Sequence, residues 1–308
     1  MNCTFYGDLA IAGHGGNAGD AWIHHVGLAN GGVGGNGGTA EGGAVYVESG
    51  CPDGCTGLVH DTLDQNSILP GQGKPGGAGI NGGMQGASGV NGAANGGGLF
   101  FANFNHLIGN TIIAQNFATF RFTSGNITYN GPDISGNIDS LKYNLIGVAD
   151  GSGGWSAGFD FTGATVAPLD PLLGPFQNNG GETLTMAPLA CSPAIDMGSS
   201  GGFSTDQVRQ MRPKGITTPP YFVDGSDIGA YELQSYPASA PVPLTITRLG
   251  TGVLISWPAT SCFVLQQTSD LGNPNWVNST YIVNVVGTQK QVTISPAPGN
   301  LFFRLFHP

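Results

Sequence analysis

Charge is what this chain has least of. Only 9% of its 308 residues are Asp, Glu, Lys or Arg. Disordered segments are usually charge-rich, so this scarcity argues for a folded chain. The nine Lys and Arg are scattered and the formal net charge is −10. No basic patch therefore exists for nucleic acid. No run reaches the roughly 18 consecutive apolar residues that a membrane-crossing helix needs. The N-terminus carries no basic region followed by an apolar run, the mark of an export signal. Met1 stands directly before NCTFYGD, which reads as the middle of a strand. The expectation is a chain that continues a longer exported protein on its N-terminal side.

Cysteine is also scarce, at five. Cys51 and Cys55 flank the turn PDG and are the candidate disulfide, although so short a loop is strained. Cys3, Cys191 and Cys262 read as small buried apolar residues. Metal chemistry has little to stand on. His24 and His25 are adjacent, so their side chains diverge, and no third ligand is evident. The glycine runs are followed by no GK[ST], which excludes a phosphate loop. They carry no repeating Asp either, which excludes the calcium nonapeptide. No cofactor is expected, and calcium enters only with a lyase alternative weighed below.

Glycine is what the chain has in excess: 54 residues, against an average usage of about 7%. Hydrophobic residues reach 40%, enough for a core. Three segments superpose: Asn2–Asp8, His60–Asn66 and Asn110–Asn116. Each opens on a polar residue, places core residues third and fourth, and closes on Asn or Asp. Ala40–Val47 aligns with Ala94–Phe101 in the same way. Steps of this size exceed an ordinary coil of about 20–45 residues, so each period holds strands plus a long insertion. The reading is a parallel β-solenoid, because one coil cannot bury its inner face alone. Phe5, Leu63 and Ile113 are expected to line up inside, with Val45, Tyr46, Leu99 and Phe100 from a neighbouring sheet. Asp8, Asn66 and Asn116 are expected at corners, bonding up and down the column.

The insertions, residues 13–50 and 71–98, hold 14 and 13 glycines. Flexible loop is one reading. Polyglycine-II-like chains packed side by side is the other, since glycine lets backbones approach closely. The apolar spacers Val33, Ala78, Ile80 and Val90 favour the packed form. From Trp155 the periodicity fades. Pro168, Pro171, Pro175, Pro188 and Pro193 forbid regular ladders there, so an irregular segment wrapped on the last coils is expected.

Six motifs run in order through this region: Gly131–Asp133, Asn144–Gly147, Asp170–Gly181, Ser192–Gly198, Thr205–Gln207 and Asp227–Glu232. They read GPD, NLIG, DPLLGPFQNNGG, SPAIDMG, TDQ and DIGAYE. This series resembles the closing segment of secreted bacterial right-handed β-helix proteins of the choice-of-anchor Q type, with a pectin-lyase-like fold. Departures are Asn178 for Asp, Cys191 for the Gly before Ser192, and Val208 between Gln207 and Arg209. The resemblance covers about a third of the chain. It implies an exported or cell-surface protein and names no reaction. Asp170, Asp196, Asp206, Arg212, Asp227 and Glu232 lie in or beside its motifs. In a chain so poor in charge, they read as holders of irregular backbone through charge-assisted hydrogen bonds. Arg212 is expected to pair with Asp206, Asp227 or Glu232. Asp170 and Asp196 are expected at turns or caps.

Pro237, Pro241 and Pro243 mark a stiff linker over 237–243. Regularly spaced strand runs follow over 244–308, as in a small antiparallel sandwich. Ile255–Pro258, Val264–Leu271, Asn275–Trp276 and Asn300–Leu305 resemble fibronectin-III-like modules of exported Verrucomicrobia-type proteins. Trp257, Trp276, Phe302 and Leu265 are the core candidates.

The fold expected is therefore all-β: a right-handed parallel β-helix over 1–236, with its irregular close at 155–236, then the module. Such helices host polysaccharide lyases and hydrolases, but a fold does not carry a reaction with it. A lyase needs a base beside calcium-holding carboxylates. Lys74, Arg121 and Lys142 stand beside none. A hydrolase needs paired carboxylates on one face. Asp61 and Asp64, three apart in a strand, point to opposite faces. Gly13-His14-Gly15 echoes the GHG of polygalacturonases without that family's other motifs. The chain reads as a non-catalytic, adhesin-like surface solenoid and a monomer. Its partner would be extracellular polysaccharide or the cell envelope. The alternatives are a β-helix lyase or glycoside hydrolase, and a carbohydrate-binding protein.

Overall fold

The computed structural model describes residues 2–20, 30–47, 57–102, 106–118, 129–130, 133–216, 223–235, 242–250, 252–259, 263–295 and 299–306. Cys51, Cys55, Cys262, His24, His25 and Arg121 lie outside the described residues. The described chain is all-β, without a helix, and divides into two compact units, Met1–Ser235 and Tyr236–Pro308.

The first unit is built of parallel sheets. The first sheet runs Thr4–Tyr6, Thr62–Asp64, Ile112–Ala114, Leu145–Ile146, Phe161–Thr162 in spatial order. Phe5, Leu63, Ile113 and Ile146 stand in register, as the superposed segments require. The second sheet runs Val45–Val47, Leu99–Phe101, Ile134–Ser140, His106–Gly109, Leu58–Val59. The inner faces of these two sheets meet in one core: Leu63, Ile113 and Ile146 against Leu99, Phe101, Ile108, Ile134 and Ile138. Each such side chain, fully buried, contributes about 1.5–3 kcal/mol. Two three-stranded sheets complete the stack, joining Leu9–Ile11 to Ser67–Leu69 to Phe117–Ala118, and Ala40–Glu41 to Ala94–Asn95 to Tyr129–Asn130.

A hydrogen-bonded ladder ties the corners. Asn66 Oδ1 accepts the Asp8 N–H at 2.9 Å, and Asn116 Oδ1 accepts the Asn66 N–H at 3.0 Å. Asp133 Oδ1 ends the series by accepting the Asn116 N–H at 2.7 Å. The left-handed corner residues are the ones just before: Gly7 (φ 71), Gln65 (φ 55) and Gln115 (φ 57). The closing Asn side chains thus bond along the column while their predecessors turn the chain, a division of labour that the alignment alone placed on one residue.

The glycine-rich insertions are ordered. Four runs, 13–20, 30–38, 71–79 and 83–92, lie side by side with a period of three. Gly32, Gly35 and Gly38 donate to the carbonyls of Gly19, Gly16 and Gly13. Gly71, Lys74 and Gly77 donate in turn to Gly38, Gly35 and Gly32, and Gly86, Gly89 and Gly92 to Gly77, Lys74 and Gly71. All nine bonds measure 2.8–3.0 Å. Three residues per turn is the repeat of an extended left-handed helix. The runs also keep the strands' steps: Asp20 Oδ1 accepts the Ala78 N–H across the 58 residues that separate Asp8 from Asn66. The apolar spacers do not do the packing. Val33 and Val90 are 70% and 66% exposed, while Gly31, Gly34 and Gly37 turn toward the neighbouring run. A Cβ at Gly34 would overlap the Lys74 carbonyl oxygen, whereas one at Gly16 would meet nothing. Gly34→Ala is therefore expected to cost about 1–3 kcal/mol or more through overpacking, and Gly16→Ala almost nothing. Thermal melts of the two variants check this, and equal melts would refute the packed bundle.

After Thr162 no further strand is described until Thr245. Residues 163–235 instead hold isolated bridges such as Leu173 with Pro188 and Gln177 with Thr185. This segment covers the outer face of the first sheet, where Ile112, Ala114 and Leu145 pack with Leu169, Leu173, Ala194 and Ile228.

The second unit has two antiparallel sheets. One runs Thr245–Leu249, Gly252–Pro258, Gln289–Ile294, Asn284–Val286, and the other Val277–Asn278, Val264–Thr268, Phe302–Phe306. Ile255, Trp257, Leu265, Val292 and Ile294 form its core. Two core candidates are corrected. Phe303 and Leu305, not Phe302, pack against that core, because alternation along the strand turns Phe302 to the other face. Trp276 is half-buried beneath the Arg304 guanidinium, 4.5 Å from its ring centroid.

Candidate functional site

The densest polar chemistry lies where the irregular segment meets the first sheet. Its sheet side is a column of Asn2, His60 and Asn110, the opening residues of the three superposed segments. His60 (φ 60) and Asn110 (φ 50) are left-handed corners, and their N–H groups donate to Gly109 and Lys142. Arg212 comes from the segment side and is almost wholly buried. Its Nε donates to Glu232 Oε2 at 2.9 Å and its Nη2 to the Gly229 carbonyl at 2.8 Å. Its Nη1 donates to His60 Nδ1 at 2.6 Å and reaches Asn2 Oδ1 at 3.4 Å.

These contacts set the state of His60. Nδ1 accepts from Arg212 and from Asn110 Nδ2, so the ring is neutral with its proton on Nε2. That proton goes to the Ser200 carbonyl at 3.0 Å. Burial first, and the Arg212 charge second, push the imidazole down to about 3. His60 cannot serve as a general acid or base near neutrality.

The carboxylates are engaged by backbone. Asp227 accepts the N–H groups of Asp196 (2.8 Å) and Leu233 (2.7 Å). Glu232 accepts those of Asp227 (2.9 Å) and Lys214 (2.7 Å) besides Arg212. Asp206 accepts those of Val208, Gln210 and Glu232. Asp196 takes the Ile216 N–H on both oxygens. Burial pushes Asp227 well above the usual carboxylate range, and the Glu232 charge adds to it. Burial pushes Glu232 up as well, and the Arg212 guanidinium pulls it back. Such an arrangement fastens irregular backbone that has no ladder of its own.

Five of the six sequence candidates thus meet here, with Arg212 choosing Glu232. Asp170 stands apart as a turn residue, accepting the Leu172 N–H at 2.8 Å and the Gln115 amide at 3.1 Å. The column of Asn2, His60 and Asn110 was missed as a site. Its one signal was that a polar residue opens every repeat. Cys191 is corrected too: it is disulfide-bonded, with its partner outside the described residues, and not a buried apolar thiol. It occupies a half-buried left-handed position (φ 77), a conformation that favours glycine. Cys3 is a free, half-buried thiol.

The other chemical candidates separate. His14 is exposed, and its Nδ1 accepts the Gln72 N–H at 2.9 Å within the glycine bundle. Asp61 accepts the Cys3 N–H at 2.9 Å, while Asp64 faces the irregular segment. Lys142 lies over the Phe159 ring at 4.1 Å. Among the described residues, no group of three or more His, Cys, Asp or Glu is placed to hold a metal ion. A cavity of about 550 Å³ opens beside Asn2, Cys3, Glu182, Gln207 and Arg209, at the rim of this network. No helix among the described residues is long and apolar enough to cross a membrane.

No protein-family model, no curated protein and no solved structure matches this chain.

Proposed function

We propose that the first unit is a right-handed parallel β-helix of the choice-of-anchor Q type, serving as an exported, surface-located, adhesin-like scaffold. The observation that carries this is the in-register column Phe5–Leu63–Ile113–Ile146 with its Asn ladder, closed by a segment whose motif residues bond to backbone. The antiparallel unit then serves as a terminal module of fibronectin-III type. Engagement of Cys191 in a disulfide supports export, since such bonds persist in oxidising compartments. A rigid stack with few charges suits a spacer that meets polysaccharide or cell envelope as a monomer. The carboxylates here act on backbone N–H groups, and His60 is locked neutral, so the polar cluster holds structure and performs no turnover.

Two measurements test the reading. Proteinase added to intact cells of the native host is expected to remove the protein, and full protection would refute surface exposure. Incubation with acidic and neutral polysaccharides is expected to release no new reducing ends and no unsaturated uronate. Turnover of any of them would replace the scaffold by an enzyme.

A further inference from the structure

The covered face of the first sheet holds one acid that nothing answers. Asp64 stands in register between Tyr6 and Ala114. Tyr6 stacks on Phe176 of the irregular segment at 4.6 Å, and Ala114 packs with Leu169 and Leu173. Asp64 is fully buried between them, and neither of its oxygens accepts a well-formed hydrogen bond. The charged groups that face it are Asp133, from the next corner of the stack, and Asp170, from the segment. Both carry its own sign. Among the described residues, these acids do not form a group placed to hold a shared metal ion.

We propose that Asp64 is a proton-operated catch for the irregular segment. With the carboxyl protonated, the stretch from Asp170 to Phe176 lies flat on the sheet. With it ionised, that stretch lifts to admit water, because an unpaired anion in a dry contact is too costly to keep there. Burial, and next the Asp133 charge, push the carboxyl up to about 7. The seated state therefore keeps a proton that the lifted state, with an ordinary carboxyl near about 4, releases. Seating is strongest below that ordinary value. It weakens by up to about tenfold per pH unit until the pH reaches the seated value, and then levels off.

Hydrogen-exchange protection factors, which normalise for intrinsic rates, read this opening at the amides of Gly174, Gln177 and Leu189. These amides donate to Ala187, Thr185 and Leu172. Between pH 5 and pH 7.5 their protection is expected to fall up to about a hundredfold in the intact protein. In Asp64→Asn it is expected to stay level. Level protection in the unaltered protein would overturn the proposal. So would an Asp64→Asn slope equal to the original. Calcium restoring protection at pH 8 would do so as well, by making the site a cation site.

Discussion

Arg212→Met is expected to cost the first unit about 3–5 kcal/mol, read as a drop in the urea midpoint. The substitution keeps apolar bulk and removes four placed N–H donations at once: to Glu232, Gly229, His60 and Asn2. Glu232 would remain buried beside Asp227 with no cation, and a lone buried charge is the costliest debris of a broken pair. The deficit should shrink as pH falls, because protonating Glu232 removes the stranded charge. Its carboxyl already lies above the ordinary range, so relief begins earlier than for an exposed glutamate. Arg212→Lys should fall between, since one ammonium can answer Glu232 but cannot also fork to His60 and the Gly229 carbonyl. Acid limits the intact protein by a separate route. His60 is pushed down to about 3, so its neutral form contributes stability above the unfolded value near 6.5. That contribution drains away as pH falls between the two. An Arg212→Met midpoint equal to the parent's at pH 8 would show that the network carries no stability.

Asn116→Ala is expected to be nearly as damaging, by a different route. Asn116 is buried in the middle of the ladder. Its Oδ1 accepts the Asn66 N–H and side-chain amide, at 3.0 and 2.9 Å. Its Nδ2 donates to the Leu63 and Ala114 carbonyls and to Asp133. Truncation leaves at least the Asn66 N–H and one carbonyl buried and unanswered, at about 1–3 kcal/mol each. Asn116→Asp separates shape from charge. It keeps the acceptor and sets an anion against Asp133, so its loss should be larger at pH 8 than at pH 5. Asn36 also accepts a backbone N–H, from Val90, but sits exposed at the edge of the glycine bundle. Asn36→Ala should cost little, because water replaces the lost partner. Melts that rank Asn36→Ala beside Asn116→Ala would remove the ladder as a source of stability.

The legible parts of the fold and the illegible ones differ by kind of residue. The pairings of Phe5 with Leu63 and Ile113, and of Ala40 with Ala94, could be read because like side chains recur at fixed steps. The ordering of the glycine runs was legible too, but for a wrong reason. Val33 and Val90 seemed to be the packing residues, whereas a period of three turns them outward and Gly31, Gly34 and Gly37 toward the neighbouring run. In the second unit, a shift of one position exchanged Phe302 for Phe303, because aromatics at 302, 303 and 306 leave the alternation ambiguous. Of the polar cluster, the segment's own residues were visible as the few charges set in the proline- and glycine-rich runs between Asp170 and Glu232. Their partners on the sheet were not, since His60 and Asn110 lie between 89 and 152 residues from the segment groups they meet.

The sequence by itself determined which residues stand above one another. Recurrence along the chain and alternation along a strand are local properties, and parallel in-register pairing copies them into columns. Only the tertiary structure decided what the aperiodic segment does when it drapes over the first sheet. There Arg212 settles on Glu232 and reaches Asn2 and His60, while Asp64, one strand position from the Leu63 of the core, is left buried without a well-formed hydrogen bond. No spacing encodes those outcomes, because they depend on where an irregular backbone finds donors for its carbonyls and acceptors for its N–H groups.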